Sequence, residues 1–209
     1  MTDTRTDGRT ARGDRTRRRI LRRAADIAST DGLDGLSLAG VARDLDISKS
    51  GVLALFGSKQ DLQLATIRTA VQIFRERVVE PAMTVPAGLR RLSELCENQL
   101  DYSRSRVFPG GCFFSAVSAE FDAKPGPVHD LIAASVAEWT ELIEHTAEQA
   151  RHAGELAPDA DPAQLAFELV AFLDRANAMS VLHDDPTAYP KAMTAIHHRL
   201  NPRTRRYRS

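Results

Sequence analysis

From Ile20 onward, apolar residues recur every three or four positions, segment after segment, as far as Leu200. Ile20, Ala24 and Ile27 form one stripe, with Leu21, Ala25 and Ala28 beside it, the spacing of one face of a helix. "TDGLDG" closes that helix, with Gly32 as its left-handed cap. Two short segments follow. Ser37 caps "SLAGVARDL" and Ser48 caps "SKSGVLALF", with "DIS" as the tight connection between them. "GSKQDL" opens a longer helix, with Ser58 at the N-cap and Asp61 three residues on, close to a capping box. Its apolar residues Leu62, Ala65, Val71, Ile73, Phe74 and Val78 run to Pro81, which this pattern predicts as the stop.

Beyond the break "PAMTVPAG", the spacing predicts a helix over about 87–104 and another in "GGCFFSAVSAEF". A long helix follows from Pro127 to about His152. Asp161 then caps a helix with Pro162 at its first position and Gln164 at its third. A last helix ends near Leu200. Nowhere do β-branched and aromatic residues alternate in strand fashion. The expected fold is all-α with about nine helices. A polar arm without regular structure is expected over 1–14, a three-helix unit over 15–62, a larger helical domain over 63–200, and a basic tail over 201–209.

Charge changes this picture only through its distribution, because the 28 basic and 28 acidic residues cancel. Residues 1–60 hold 12 Lys and Arg against 8 Asp and Glu, residues 61–200 hold 12 against 20, and 201–209 hold 4 against none. A basic head on an acidic body fits a polyanion-binding unit joined to a domain with another task; a merely solvated basic face is the alternative. Cys96 and Cys112 form neither a disulfide framework nor a zinc motif, and no apolar run approaches a membrane span. The "MTDTRTDGRTARGDRTRRR" start lacks an apolar signal core. The expectation is a cytoplasmic chain without a membrane partner.

The three-helix unit has helix-turn-helix geometry. Val41, Leu45, Ile47, Val52 and Leu55 or Phe56 are spaced to pack its two short helices together. Ser48, Lys49 and Ser50 are left at an exposed helix start, where backbone N–H groups and an ammonium favour a phosphate. Ser58 and Lys59 open the next helix as a second anion site, so the two helix starts would grip the backbones either side of one groove of double-stranded DNA; two ordinary capped helices with solvated lysines are the alternative. Gly51, in the first turn of the recognition helix, has a helix cost that close backbone approach would offset. Arg12, Arg15, Arg17, Arg18 and Arg19 are either further phosphate or minor-groove contacts or solvated arginines.

The stretch "GLSLAGVARDLDISKSGVLALFGSKQDL" resembles the DNA-binding region of the TetR family of transcriptional regulators, over about residues 16–65. The resemblance implies a DNA-binding head, with a divergent helical domain for ligand binding and dimerisation. It places Ser48, Lys49 and Ser50 where the family enters the groove and Lys59 at a phosphate; with Ser37, Gly51, Leu53 and Arg17 these are the DNA-binding candidates. Three positions depart from the family pattern. Asp46 stands for the turn glycine and must take a left-handed conformation. Leu53 replaces a tyrosine that touches the backbone, and Ala54-Leu55 offers few groups to base edges. "VFPGGCFFSAVSAEFDAKPGPVHDLI" resembles one TetR subgroup more weakly and brings no ligand.

In the larger domain, Phe74, Cys112, Phe113, Phe114, Val117, Trp139 and Met179 belong to helices that either surround an apolar cavity or form plain core. Cys112 is read either as a redox sensor beside a helix start or as a buried, inert thiol. The helix capped by Asp161 is apolar on more than one face. It is either central to one subunit or, as the favoured reading has it, packed against its copy in a homodimer through Leu165, Leu169, Phe172, Met179 and Ile196. Neither His183, Asp184 and Asp185 nor His197 and His198 have the spacing of a metal site, and no nucleophile–base or cofactor motif is present. The expected function is a repressor released from a palindromic operator by a small apolar or aromatic effector. The competing reading is an all-α carrier or scaffold for a lipid-like molecule, without DNA.

Overall fold

The computed structural model describes residues 4–201, with side chains from residue 13. Among these residues there are nine helices and no strand. The helices are α1 (Thr4–Asp31), α2 (Leu38–Asp44), α3 (Lys49–Phe56), α4, α5 (Leu89–Arg104), α6 (Phe113–Phe121), α7 (Pro127–His152), α8 (Pro162–His183) and α9 (Ala188–Leu200). α4 is continuous but changes pitch: it is α-helical over Lys59–Phe74, a π-helix over Arg75–Val79, and α-helical again over Glu80–Met83. No described helix is long and apolar enough to cross a membrane.

The capping residues act as their types require. Ser37, Ser48 and Ser58 accept from the N–H of Gly40, Gly51 and Asp61, and Asp161 accepts from Ala163 and Gln164, each satisfying a donor that the helix itself leaves open. Asp46 has φ 53°, the left-handed turn expected of it. Two expectations fail. α1 begins at Thr4, so the polar stretch 4–14 continues the helix instead of forming an arm; once nucleated, a helix extends at the cost of one residue per new hydrogen bond. The tail 202–209 lies outside the described residues. Pro81 does not stop α4 either. The π turn before it pairs the Glu80 N–H with Arg75 O, and the wider spacing accommodates the donor that proline lacks.

There are two cores, and their border differs from the one expected at residue 62. One core joins Ile20, Ala24 and Leu33 to Val41, Val52 and Phe56 of the short helices, then continues through Phe74 to Phe108, Phe113, Val117 and Ile132. The other is built from α5, the second half of α7, α8 and α9 around Leu92, Ile143, Leu169 and Ile196. Trp139 packs against both.

α1 lies against α4 and α6, and the fit at one point is backbone on backbone. A Cβ on Gly110 would lie 1.7 Å from Ser29 O, while the Gly110 N–H donates to Ser29 Oγ at 3.0 Å. Gly110→Ala therefore forces α1 away from the loop before α6. We expect it to cost about 1–3 kcal/mol, read as a lower denaturant midpoint with an unchanged slope.

Candidate nucleic-acid interface and ligand cavity

α3 presents one face inward and one outward. Val52 and Phe56 are buried, with Leu45, Ile47 and Leu55 packed behind them. Ser48, Lys49, Ser50, Gly51 and Leu53 are exposed together on the other face, with Leu53 at 45 %. Ser37, at the start of α2, is also exposed. Ser48 is already occupied as a cap, and Ser50 Oγ lies 3.3 Å from Ser48 Oγ. Gly51 does not touch a neighbouring helix. A Cβ there would meet Ser48 Oγ alone, at 3.0 Å, so within the subunit the missing side chain only leaves room for the cap.

Two cations are engaged differently from the sequence expectation. Arg17 is not a free phosphate contact. Its guanidinium donates to Leu55 O at 3.0 Å and lies 4.6 Å from the centroid of the Phe56 ring, tying α1 to the end of α3. Lys59 Nζ donates to Asp34 O at 2.6 Å; an ammonium carries three donors, so N–H groups remain for a second partner.

Asp34 belongs to the loop between α1 and α2, where the head meets the rest of the chain. Glu120, at the end of α6, accepts from the N–H of Leu33 at 2.7 Å and of Asp34 at 2.8 Å. Gln63 of α4 donates to Leu33 O at 2.8 Å. Lys124 pairs with the Asp34 carboxylate at 2.7 Å, a contact that holds that carboxyl below its usual range.

The opposite side of α6 lines a cavity of about 590 Å3, bounded by α4, α5, α7 and α8. Of the seven pocket candidates from the sequence, Phe74, Cys112, Phe114 and Trp139 stand on its wall. Phe113 and Val117 do not: both are fully buried and packed toward α1. Met179 is half-buried off the wall as well. The Phe74 ring sits in a corner, 5.1 Å from Trp139 and 6.1 Å from Phe114, edge to face in both cases. The polar wall was not anticipated. It comprises Gln99, Ser115, Ser118, Ser135, Glu138 and Asp174, with Arg75 from the π turn. Asp174 is the one of these with a sequence signal, as one of two carboxylates, with Glu168, inside the largely apolar run 165–182. Asp174 is exposed at the cavity rim; Ser115 Oγ donates to its Oδ1 at 2.8 Å, and the protein on its inner side pushes the carboxyl upward by desolvation. Burial pushes the Cys112 thiol up in the same way, which leaves little thiolate for redox sensing.

The proposed dimer residues divide by burial. Leu165, Leu169 and Ile196 are sealed inside the subunit and cannot meet a copy; Phe172 and Met179 are half-buried. The outward stripe of α8 is a different set: Phe167 (68 % exposed), Ala171, Ala178, Val181 and Leu182 (76 % exposed).

Residues 88–196 match the family model described as tetracyclin repressor-like, C-terminal domain. Solved structures share the fold. A TetR transcriptional regulator from Chloroflexus aurantiacus is 22% identical, with 89% of this chain and 94% of that one covered and a TM-score of 0.82. A TetR-family regulator from Agrobacterium tumefaciens is 16% identical, with 90% and 99% covered and a TM-score of 0.81. AibR, solved in complex with isovaleryl coenzyme A and operator DNA, is 19% identical, with 88% and 97% covered and a TM-score of 0.70. Among curated proteins no relative matches by sequence.

The Arg17 tie is testable by itself. Arg17→Ala should lower stability by about 1–2 kcal/mol through the lost hydrogen bond and ring contact, as a shift in denaturant midpoint. Arg18→Ala, at an exposed neighbour, should stay within about 0.5 kcal/mol.

Proposed function

This chain belongs to the TetR family of transcriptional regulators, and from that premise we propose that it is a cytoplasmic, homodimeric repressor released from a palindromic operator by a small molecule in the cavity. It acts as a binding switch, with no catalytic step. The observation that carries this reading is the two-sided placement of α6. One side, with Phe114, Ser115, Ser118 and Ala119, lines the cavity; its end, through Glu120, holds the loop that leads into α2 and α3.

On this reading Lys49 and the exposed face of α3 enter the major groove, with Ser50 and Leu53 nearest the bases and Lys59 at the flanking backbone. Leu53 and Ala54 offer apolar contact and no hydrogen bonds, so phosphate contacts supply most of the affinity. The outer stripe of α8, with alanines between Phe167 and Leu182, packs against its copy and fixes the spacing of the two heads at about one helical turn of DNA. An effector that fits one placement of α6 better than the other shifts the two-state balance by its differential affinity. Moving α6 moves the carboxylate on which Leu33 and Asp34 hang. AibR, with both an acyl coenzyme A and operator DNA bound, is an instance of this fold accommodating both kinds of partner.

Two measurements decide the reading. In gel shifts on the DNA flanking its own gene, binding should fall steeply with salt, and Lys49→Ala should reduce the log–log salt slope by about 1. No salt-dependent shift would instead favour the carrier reading. In size-exclusion with light scattering the chain should run as a dimer at micromolar concentration, and Phe167→Glu should give monomer with an unchanged helical spectrum; a wild-type monomer would remove the α8 interface.

A further inference from the structure

Polar bonds from one stretch of α8 reach out of the second core to the loop 105–112, which precedes α6 and belongs with the first. Asn177 and Ser180 are buried polar residues of α8, and both face this loop. Asn177 Oδ1 accepts from the Cys112 N–H at 2.8 Å. Arg106 Nη2 donates to Ser180 O at 3.3 Å and to Ser180 Oγ at 3.1 Å. α1 holds the loop from its other side. The Arg22 guanidinium donates to Val107 O and lies 4.8 Å from the centroid of the Phe108 ring, which is fully buried in the first core. Gly110 donates to Ser29 Oγ at the next turn of α1.

This bridge is kept at a local cost. Arg106 stands in the left-handed region at φ 50°, where residues other than glycine are uncommon. Its Nη1 is buried without a hydrogen-bond partner. Gly111, at φ 83°, leaves no space for a side chain, because a Cβ would lie 2.2 Å from Asn177 Oδ1 and 3.2 Å from Val181 Cγ2. Val181 also belongs to the outward stripe, so one turn of α8 grips the loop and shows Val181 and Leu182 to solvent. Strained backbone persists only where its surroundings over-determine it, and it collects where position matters to function.

We propose that residues 105–112 form a fixed strut between α8 and α1, in which Arg106 and Asn177 are positioning residues that set the distance between the two recognition helices of the dimer. Apolar packing between the cores, as at Trp139, is non-directional and lets helices slide. The bonds from Asn177 and Arg106 are directional and fix one register. A shift of α8 against its copy therefore reaches α1 through these bonds and through a turn closed by the Gly111 N–H on Phe108 O at 2.9 Å. Arg106 to Gly111 are not on the cavity wall, so the strut supports the heads beside the effector route through Glu120. The inference rests on the α8 homodimer of the proposed function.

Pulsed electron resonance on the spin-labelled, full-length dimer tests it. Both native cysteines are buried, so an added thiol takes the label. Arg43→Cys, exposed on α2, gives the head-to-head distance, and His152→Cys, exposed at the end of α7, gives the body-to-body distance. Arg106→Gly removes the bond to Ser180, while glycine adopts the left-handed turn freely. It should displace or broaden the head-to-head distribution by about 5 Å or more, since small shifts at packed joints are amplified into larger rigid-body ones. The body-to-body distribution should stay unchanged. Ser180→Ala, which removes only the hydroxyl acceptor, should act in the same direction by less, and decides the matter if Arg106→Gly does not fold. Arg91→Ala removes an arginine-to-carbonyl bond of the same kind, to Val85 O at 2.8 Å, away from the strut, and should move neither distance. Head distances that ignore the strut variants in an intact dimer would overturn this inference alone, as would an equal displacement with Arg91→Ala. A wild-type monomer in light scattering would remove it together with the α8 interface.

Discussion

The backbone of Leu33 and Asp34 lies just past the end of α1, where no helix supplies partners for its N–H and C=O groups. α4 and α6 supply them. Glu120 takes both N–H groups, Gln63 gives to Leu33 O, Lys59 gives to Asp34 O, and Lys124 holds the Asp34 side chain. The Leu33 side chain is fully buried in the core beneath. Apart from a local bond from the Leu36 N–H to Leu33 O at 3.2 Å, the polar groups of this dipeptide are held by residues distant in sequence, and the orientation of α2 and α3 follows from where those residues stand. Converging on two residues, these bonds tie the loop that leads into α2 to both α4 and α6.

That link explains why the two cores do not divide at the boundary between the three-helix unit and the larger domain. Phe108, Phe113 and Val117 pack on α1, and Gly110 meets Ser29 backbone to backbone. α6 is thus part of the head's support on one face and part of the cavity wall on the other. A displacement of a few tenths of an ångström there has no soft layer to absorb it, because close-packed interiors transmit strain. The π turn of α4 adds to this arrangement by placing Arg75 and Val79 on the cavity wall and carrying the helix past Pro81.

The helix starts were legible in the sequence because capping is a local matter: Ser37, Ser48, Ser58 and Asp161 each bond a backbone donor within three residues. The turn at Asp46 was legible through the TetR resemblance, which has a turn glycine at that position. Arg17 was not, because a run of arginines looks alike until one of them finds Leu55 O and the Phe56 ring. Lys59 was half legible; its position at a helix start is local, but its bond to Asp34 O spans 25 residues. The outward stripe of α8 was misread for a geometric reason. On a helix that is apolar all round, periodicity cannot say which face the subunit buries, and Leu165 and Leu169 turned inward while Phe167 and Leu182 turned out.

By itself, then, the sequence determined the elements: an all-helical chain, the caps that start its helices, a left-handed turn at Asp46, and an exposed Ser-Lys-Ser at the start of α3. These follow from interactions between residues a few positions apart, which the order of residues specifies directly. Tertiary structure alone decided the rest: which arginine is structural, which face of α8 is free, and that Asp174, Gln99 and three aromatic rings from α4, α6 and α7 enclose one space. Those groupings join residues up to about a hundred positions apart, and only the packing of the two cores, which meet at Trp139, brings them within reach.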